Sequence, residues 1–330
     1  MRIVLSLVAV GVLAGIAWAG GQSPAMQTFL AVVAPYVAIA VFVFGLGARV
    51  IGWARSAVPF RIPTTCGQER SLPFLRSSPL DNPSSGPAAV GRMALEVLTF
   101  RSLFRNTRAE LKPGGRLVYS SDKWLWAAAL LFHYSFLAVF LRHYRFFVEP
   151  VPRVIAVLQG LDGFFQVGVP VFFLTSFGLI AGLGYLLARR LVDARMRYLS
   201  LPADYFPLFL LLGVALTGIG MRHLWKVDIV RVKELAIGLV NFHPTVPQGV
   251  GPLFYVHLFL VSALLAYFPF SKLVHMAGVF LSPTRNLVNN NRAVRHLNPW
   301  NPPIVGHTYA EWEEEFHDKM KAAGLPLDRE

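Results

Sequence analysis

Residues 124–147 read WLWAAALLFHYSFLAVFLRHYRFF, and residues 252–275 read PLFYVHLFLVSALLAYFPFSKLVH. Each stretch is long and apolar enough to cross a bilayer as a helix, which takes about 20 residues. Each also carries two histidines: His133 and His143, ten residues apart, and His257 and His275, eighteen apart. An imidazole inside a membrane span is costly and needs a partner. Two histidine pairs on two separate spans are what bis-histidine ligation of two haems in a helix bundle requires.

The rest of the chain agrees with a membrane setting. Its 330 residues are 55% hydrophobic and only 15% charged, with a mean hydropathy of +0.50. A soluble domain of this length is less apolar and more charged, and the apolar runs are too long for barrel strands of about 9–11 alternating residues. The net charge is +13. Because most of it lies between apolar runs, it reads as topology and lipid contact rather than a nucleic-acid surface. The single cysteine, Cys66, excludes an intramolecular disulfide framework, a c-type haem attachment and an iron–sulfur cluster carried by this chain. Any haem is therefore held non-covalently, and any iron–sulfur chemistry belongs to another subunit.

Six segments qualify as spans: residues 3–20, 28–53, 124–147, 164–187, 205–224 and 252–275. The fold expected is an all-α integral membrane protein, a six-helix bundle in which an extra N-terminal helix joins a five-helix core. The first segment reads as an uncleaved helix rather than a signal peptide. Positive charge is dense between spans 2 and 3 (Arg55 through Lys123), between spans 4 and 5 (Arg189, Arg190, Arg195, Arg197) and after span 6 (Arg285, Arg292, Arg295). The positive-inside rule then places both termini in the cytoplasm of a bacterial or archaeal cell, with span 3 running outward and span 6 inward. Four regions follow: two N-terminal spans (1–53), a basic cytoplasmic loop (54–122), the four-helix histidine-bearing part (123–281) and an extended cytoplasmic tail (282–330). Within the loop, residues 61–89 read as extended and residues 90–111 as an amphipathic helix on the inner leaflet or a partner. Residues 282–303, rich in Asn, Pro and Arg, read as a segment docked on something else, and residues 308–323 as a short acidic helix.

Antiparallel spans pair His133 with His275 at the inner side and His143 with His257 at the outer. Along a helix, ten residues cover about 15 Å and eighteen about 27 Å. The mismatch of about 12 Å calls for tilt, for accommodation by haem geometry and for a bend at Pro269. His133 and His143 also fall off a common face by roughly 80°.

Around this constellation, His223, Arg222 and Lys226 at the outer end of span 5 are candidates for a quinone site, which needs a proton-exchanging group beside a haem. An interfacial belt anchored by Trp225 is the competing reading. Arg142 and Arg145 beside His143 suit haem propionates, as do Lys272 and Lys123 at the inner side. Asp162 and Glu149 at the outer side read as solvated loop charges, with proton carriage as the competing reading, and His243, His296, His307 and His317 as non-ligands. No Walker loop, G-x-G-x-x-G or H-E-x-x-H motif is present.

On the four histidines at these spacings, residues 28–282 resemble the dihaem cytochrome b subunits of the respiratory nitrate reductase gamma type. The resemblance implies that His133, His143, His257 and His275 are axial ligands of two haems b. The added N-terminal span, basic loop and tail resemble the DsrM membrane cytochrome of the sulfite-reduction-associated Dsr complex, and heterodisulfide-reductase-like relatives share that architecture. The resemblance implies a cytoplasmic DsrK-like iron–sulfur partner, further membrane and periplasmic subunits, and electron exchange with menaquinone as substrate in sulfur or sulfite respiration. The competing classes are a haem-free membrane anchor and a proton-coupled transporter with its histidines in a proton path, although no repeated halves are visible.

Overall fold

The computed structural model describes residues 1–56, 70, 74, 76–105, 107–163, 171–290 and 306–328. Cys66 and His296 therefore lie outside the described residues, as does the start expected for the fourth span.

Apolar runs become helices because no bilayer water is available to the backbone, so each N–H and C=O must be satisfied within its own segment. Helix α1 (Arg2–Gly20) turns directly into α2 (Pro24–Ala54), which contains one π-type turn at Phe29–Val33. Pro24 at the first turn of α2 starts the new helix. After the loop come α3 (Gly86–Thr99), a single turn at Arg101–Phe104, and an antiparallel hairpin of β1 (Thr107–Lys112) and β2 (Arg116–Ser121). Gly114 and Gly115, both at positive φ, close the hairpin. Then follow α4 (Lys123–His143), α5 (Arg153–Asp162), α6 (Leu174–Val192), α7 (Pro202–His223), α8 (Ile229–Val240), α9 (Pro252–Tyr267) and, beyond a short turn at Pro283–Asn286, α10 (Tyr309–Ala322). Among the described residues, five stretches are long and apolar enough to cross a membrane: Arg2–Gly20, Pro24–Ala54, Lys123–Phe146, Pro202–His223 and Pro252–Phe270. Helix α6, with Arg189 and Arg190 in its last turn, packs among them.

The core lies between α1, α7 and α9, where Val10, Ala17, Leu210, Leu260 and Tyr255 are buried together. The large apolar side chains of α2 and α4 that face outward, such as Phe44 and Phe140, suit a lipid surface. One end of the bundle gathers the basic segments. There Arg2 donates to the carbonyls of Tyr198 and Ser200, and Ser6 to that of Pro202. Arg189 pairs with Asp122 at 2.8 Å and Lys272 with Asp204 at 2.6 Å. Lys123 lies over the Phe104 ring.

Helices α4 and α6 pack closely. A side-chain carbon on Gly178 would collide with the Ser135 hydroxyl, and one on Gly182 would come 3.0 Å from the backbone of Phe132. Gly178 and Gly182 form a G-x-x-x-G step of the kind that lets membrane helices pack backbone to backbone. It went unread in the sequence.

The structure differs from expectation in three further places. Residues 90–111 are not one helix. Phe100 adopts a left-handed conformation that ends α3, and the segment from residue 107 pairs as a two-stranded hairpin within the loop of an otherwise all-α fold. The last span is not continuous either. Its helix ends at Tyr267, a 3₁₀ turn takes in Pro269, and Ser271 is fully extended before a second start. Pro269 has no N–H with which to continue the α-helical ladder, and the Ser271 hydroxyl caps the new start by accepting from the Leu273 N–H at 3.1 Å. The Pro269 carbonyl is taken by Arg49. Asp162, read as a solvated charge, is buried.

The loop also folds on itself and on the tail. Asp81 gathers Arg101 and Arg105. Burial pushes its carboxyl up, but hydrogen bonds from Arg105 and Ser78 and the charges of Arg101 and Arg105 outweigh this and hold it below the ordinary carboxylate range. The start of the tail docks here, with Asn289 donating to the Pro83 carbonyl and to the Asn82 side chain.

The glycine contact makes a test. Gly182→Ala overpacks α4 against α6 and is expected to cost about 1–3 kcal/mol, read as a lower unfolding midpoint in detergent. Gly184→Ala on the same helix, where the added carbon meets nothing within 4 Å, is expected to leave the midpoint unchanged or slightly raised.

Candidate cofactor site: two facing histidine pairs

Each of the four histidines commits its Nδ1 proton to an oxygen nearby. On α4, His133 Nδ1 donates to the Ala129 carbonyl and His143 Nδ1 to the Val139 carbonyl, both at 2.7 Å. Beyond the break, His275 Nδ1 donates to the Lys272 carbonyl at 2.8 Å. A carbonyl only accepts, so these nitrogens carry the proton. His257 on α9 meets the Thr217 hydroxyl of α7 at 2.9 Å. That hydroxyl directs its own proton to the carbonyls of Gly213 and Val214, so it accepts from His257. In all four rings Nε2 is left as the basic nitrogen, the state in which imidazole binds iron.

His133 and His275 have centroids 6.0 Å apart, and His143 and His257 are 6.4 Å apart. Two imidazoles on opposite sides of one metal, each bonded at about 2 Å, place their ring centroids roughly 6–6.5 Å apart. Among the described residues no group of three or more His, Cys, Asp or Glu is placed to hold a bare metal ion. The donor set therefore fits a cofactor that brings its own equatorial ligands, as a haem does. The break at Ser271 absorbs the spacing mismatch that a bend at Pro269 was expected to absorb, because it frees residues 272–275 from the line of α9. Gly218 on α7 makes room for the His257 ring, since a side-chain carbon there would lie 3.3 Å from its Cε1.

The polar residues at the end opposite the basic one form a second layer. Arg142 is buried and pairs with Asp162 at 3.0 Å, while Asp162 accepts from the Thr175 N–H and hydroxyl. Arg142 and Arg222 both lie against the Phe173 ring, at 3.7 and 4.2 Å, and Arg222 also holds the Val171 carbonyl. Arg145 donates to Gln159. His223 stacks on Phe172 with centroids 4.3 Å apart and planes 8° apart. Lys226 is exposed. The structure thus brings His223, Arg222, Arg142 and Arg145 to the same end as His143, while Lys226 stands outside this layer. Sequence reasoning missed Thr217 and Gly218, although a hydroxyl and a glycine inside an apolar span (Thr217-Gly-Ile-Gly) are themselves a signal of close polar contact.

A helical membrane bundle that holds two facing histidine pairs between two of its helices has the architecture of a b-type membrane cytochrome. The chain belongs to the nitrate reductase gamma subunit family, matching it over residues 94–296. It is 46% identical over 281 residues to an Hdr-like menaquinol oxidoreductase cytochrome b-like subunit of Archaeoglobus fulgidus, covering 83% of this chain and 84% of that protein. A protein of the same description from Archaeoglobus profundus is 42% identical over 288 residues, covering 85% and 84%.

Thr217→Val removes the acceptor for the His257 Nδ1–H while keeping the volume. Loss of such a partner lowers cofactor affinity about 10–100-fold. A haemochrome assay on the detergent-purified variant is expected to show depletion of about one haem relative to wild type, and a full complement after extended dialysis would refute the role of this contact.

Proposed function

We propose that this chain is the dihaem b subunit of a membrane-bound menaquinol oxidoreductase, passing electrons between menaquinol and a cytoplasmic iron–sulfur partner. The observation that carries the reading is the pair of centroid distances, each suited to one iron, with every Nδ1 proton committed elsewhere. His133 with His275 would hold one haem and His143 with His257 the other. Bound haem supplies reversible one-electron chemistry. The names of the two archaeal relatives supply the menaquinol and the wider complex. The lone cysteine supports placing iron–sulfur chemistry on another subunit, of DsrK-like kind, and the basic loop and tail provide the face on which it docks.

At the outer end, His223 is suited to take or return the hydroxyl proton of a quinol through its imidazole. Phe172 holds that ring flat against it. Arg222 acts on the Val171 carbonyl, fixing the 171–173 segment, and Lys226 adds positive charge at the rim. Arg142 and Arg145 place positive charge beside His143, which suits haem propionates, with Asp162 balancing the buried guanidinium. This end faces outside if both termini are cytoplasmic, as the charge pattern indicates. Quinol oxidation there releases protons outside. Electron flow in the opposite direction uses the same groups.

A reduced-minus-oxidised spectrum with a pyridine haemochrome assay should report two haems b per chain, and His257→Ala should lose one and keep the other. A folded, colourless wild-type protein returns the chain to the anchor or transporter classes. Reporter fusions at Met1 and at the C-terminus are expected to read as cytoplasmic, and either one outside the cell reverses the scheme.

A further inference from the structure

Phe100 ends α3 with φ 50° and ψ 46°, a backbone region that a bulky side chain enters only when its surroundings over-determine it. The surroundings do so here. Trp126 Nε1–H donates to the Thr99 carbonyl and the Tyr134 hydroxyl to the Leu98 carbonyl, both at 2.7 Å. Phe104 packs edge-on against Trp126. Just beyond, the Ser102 N–H and hydroxyl both donate to the Glu96 carboxylate. Trp126, His133 and Tyr134 fall on one face of α4, at seven- and eight-residue spacing, so the loop is fastened along the face that bears His133. The Phe100 ring meets the His133 imidazole edge-on at 4.9 Å and 81°. Phe132 meets the same imidazole at 4.8 Å and 72°.

The two histidine pairs differ in one respect. The planes of His143 and His257 are within 18° of parallel, whereas those of His133 and His275 cross at 80°. The hydrogen bond from His133 Nδ1 to Ala129 sets that ring's tautomer, and the two aromatic edges set its rotation. We infer that Phe100 is a positioning residue that holds the His133 imidazole crossed to His275 and so makes the two iron sites electronically unlike. The inference rests on the dihaem reading above. The π system of each imidazole acts on the iron d orbital perpendicular to its ring plane. Parallel rings act on the same orbital and separate the pair, whereas crossed rings act on both and leave them close in energy. The crossed site then gives the more anisotropic low-spin ferric resonance.

The test uses the full-length protein with His257→Ala, so that the remaining haem is the one held by His133 and His275. Phe100→Gly removes the ring while relaxing the positive φ, which glycine adopts freely. Phe100→Tyr keeps the ring. Electron paramagnetic resonance of the ferric protein is expected to show a strongly anisotropic low-spin signal in the His257→Ala background and with Phe100→Tyr. With Phe100→Gly the signal should become less anisotropic or split into several species, and the midpoint potential should shift. An unchanged signal with Phe100→Gly overturns the inference. Should that variant shed its haem, Tyr134→Phe loosens the clamp and leaves the ring in place. It must then move the signal in the same direction, and no movement overturns the inference equally. In the otherwise wild-type chain Phe100→Gly must leave the second haem signal unmoved, and displacement of both overturns it as well. A wild-type protein without haem defeats the dihaem reading itself, whereas two wild-type haems with an indifferent Phe100→Gly defeat only the role of Phe100.

Discussion

An imidazole N–H in an apolar span has no water to turn to, and the molecule meets this by giving each Nδ1 an oxygen supplied by its own helix or by the next one. At His133, His143 and His275 the acceptor is a main-chain carbonyl three or four residues back. The remaining case, His257, needs a second helix, and that need ties α9 to α7 through Thr217. One set of hydrogen bonds therefore selects the tautomer, orients the rings and links helices of the bundle. Removing them would leave donors unsatisfied within apolar spans and the rings free to turn.

The second constraint is steric. His133 and His143 reach their partners only if α4 sits where it does, and α4 is seated on α6 by contact at Gly178 and Gly182 that admits no extra carbon. In a bilayer, helices gain little from hiding apolar surface from one another, so backbone approach and shape decide the packing. The charged ends then complete the assembly: Asp122 with Arg189 at one end, and Arg142 with Asp162 at the other. Both of these pairs close contacts between helices or helix ends that the glycines and the apolar faces have already brought near.

Much of this could be read before any coordinates. The spans were visible as apolar runs, and those runs together with the charge asymmetry gave the expectation that His133 faces His275 and His143 faces His257. Three things were not visible, each for a local reason. Ser271 caps a new start inside what hydropathy treats as one span, because a single serine barely changes a mean over twenty residues. Residues 107–121 alternate too weakly to announce a hairpin, and the helical spacing of the residues just upstream runs on into them. Asp162 and Arg142 lie far apart in sequence, and only the return of the chain through α5 and α6 brings a carboxylate to a guanidinium and buries both.

The break at Ser271 divides the last span into a stem and an arm. The stem, α9, is wedged among α1, α2 and α7 and carries His257. The arm carries His275, runs past Trp53 at Gly278 and ends where Asn289 is fastened to Asn82 and Pro83 on the basic loop. His275 thus answers mechanically to the loop and tail, while His257 answers to the bundle. The two pairs differ in what holds their second histidine: contacts of the loop and tail for His275, and packing against α7 for His257. A single continuous helix would have coupled the two.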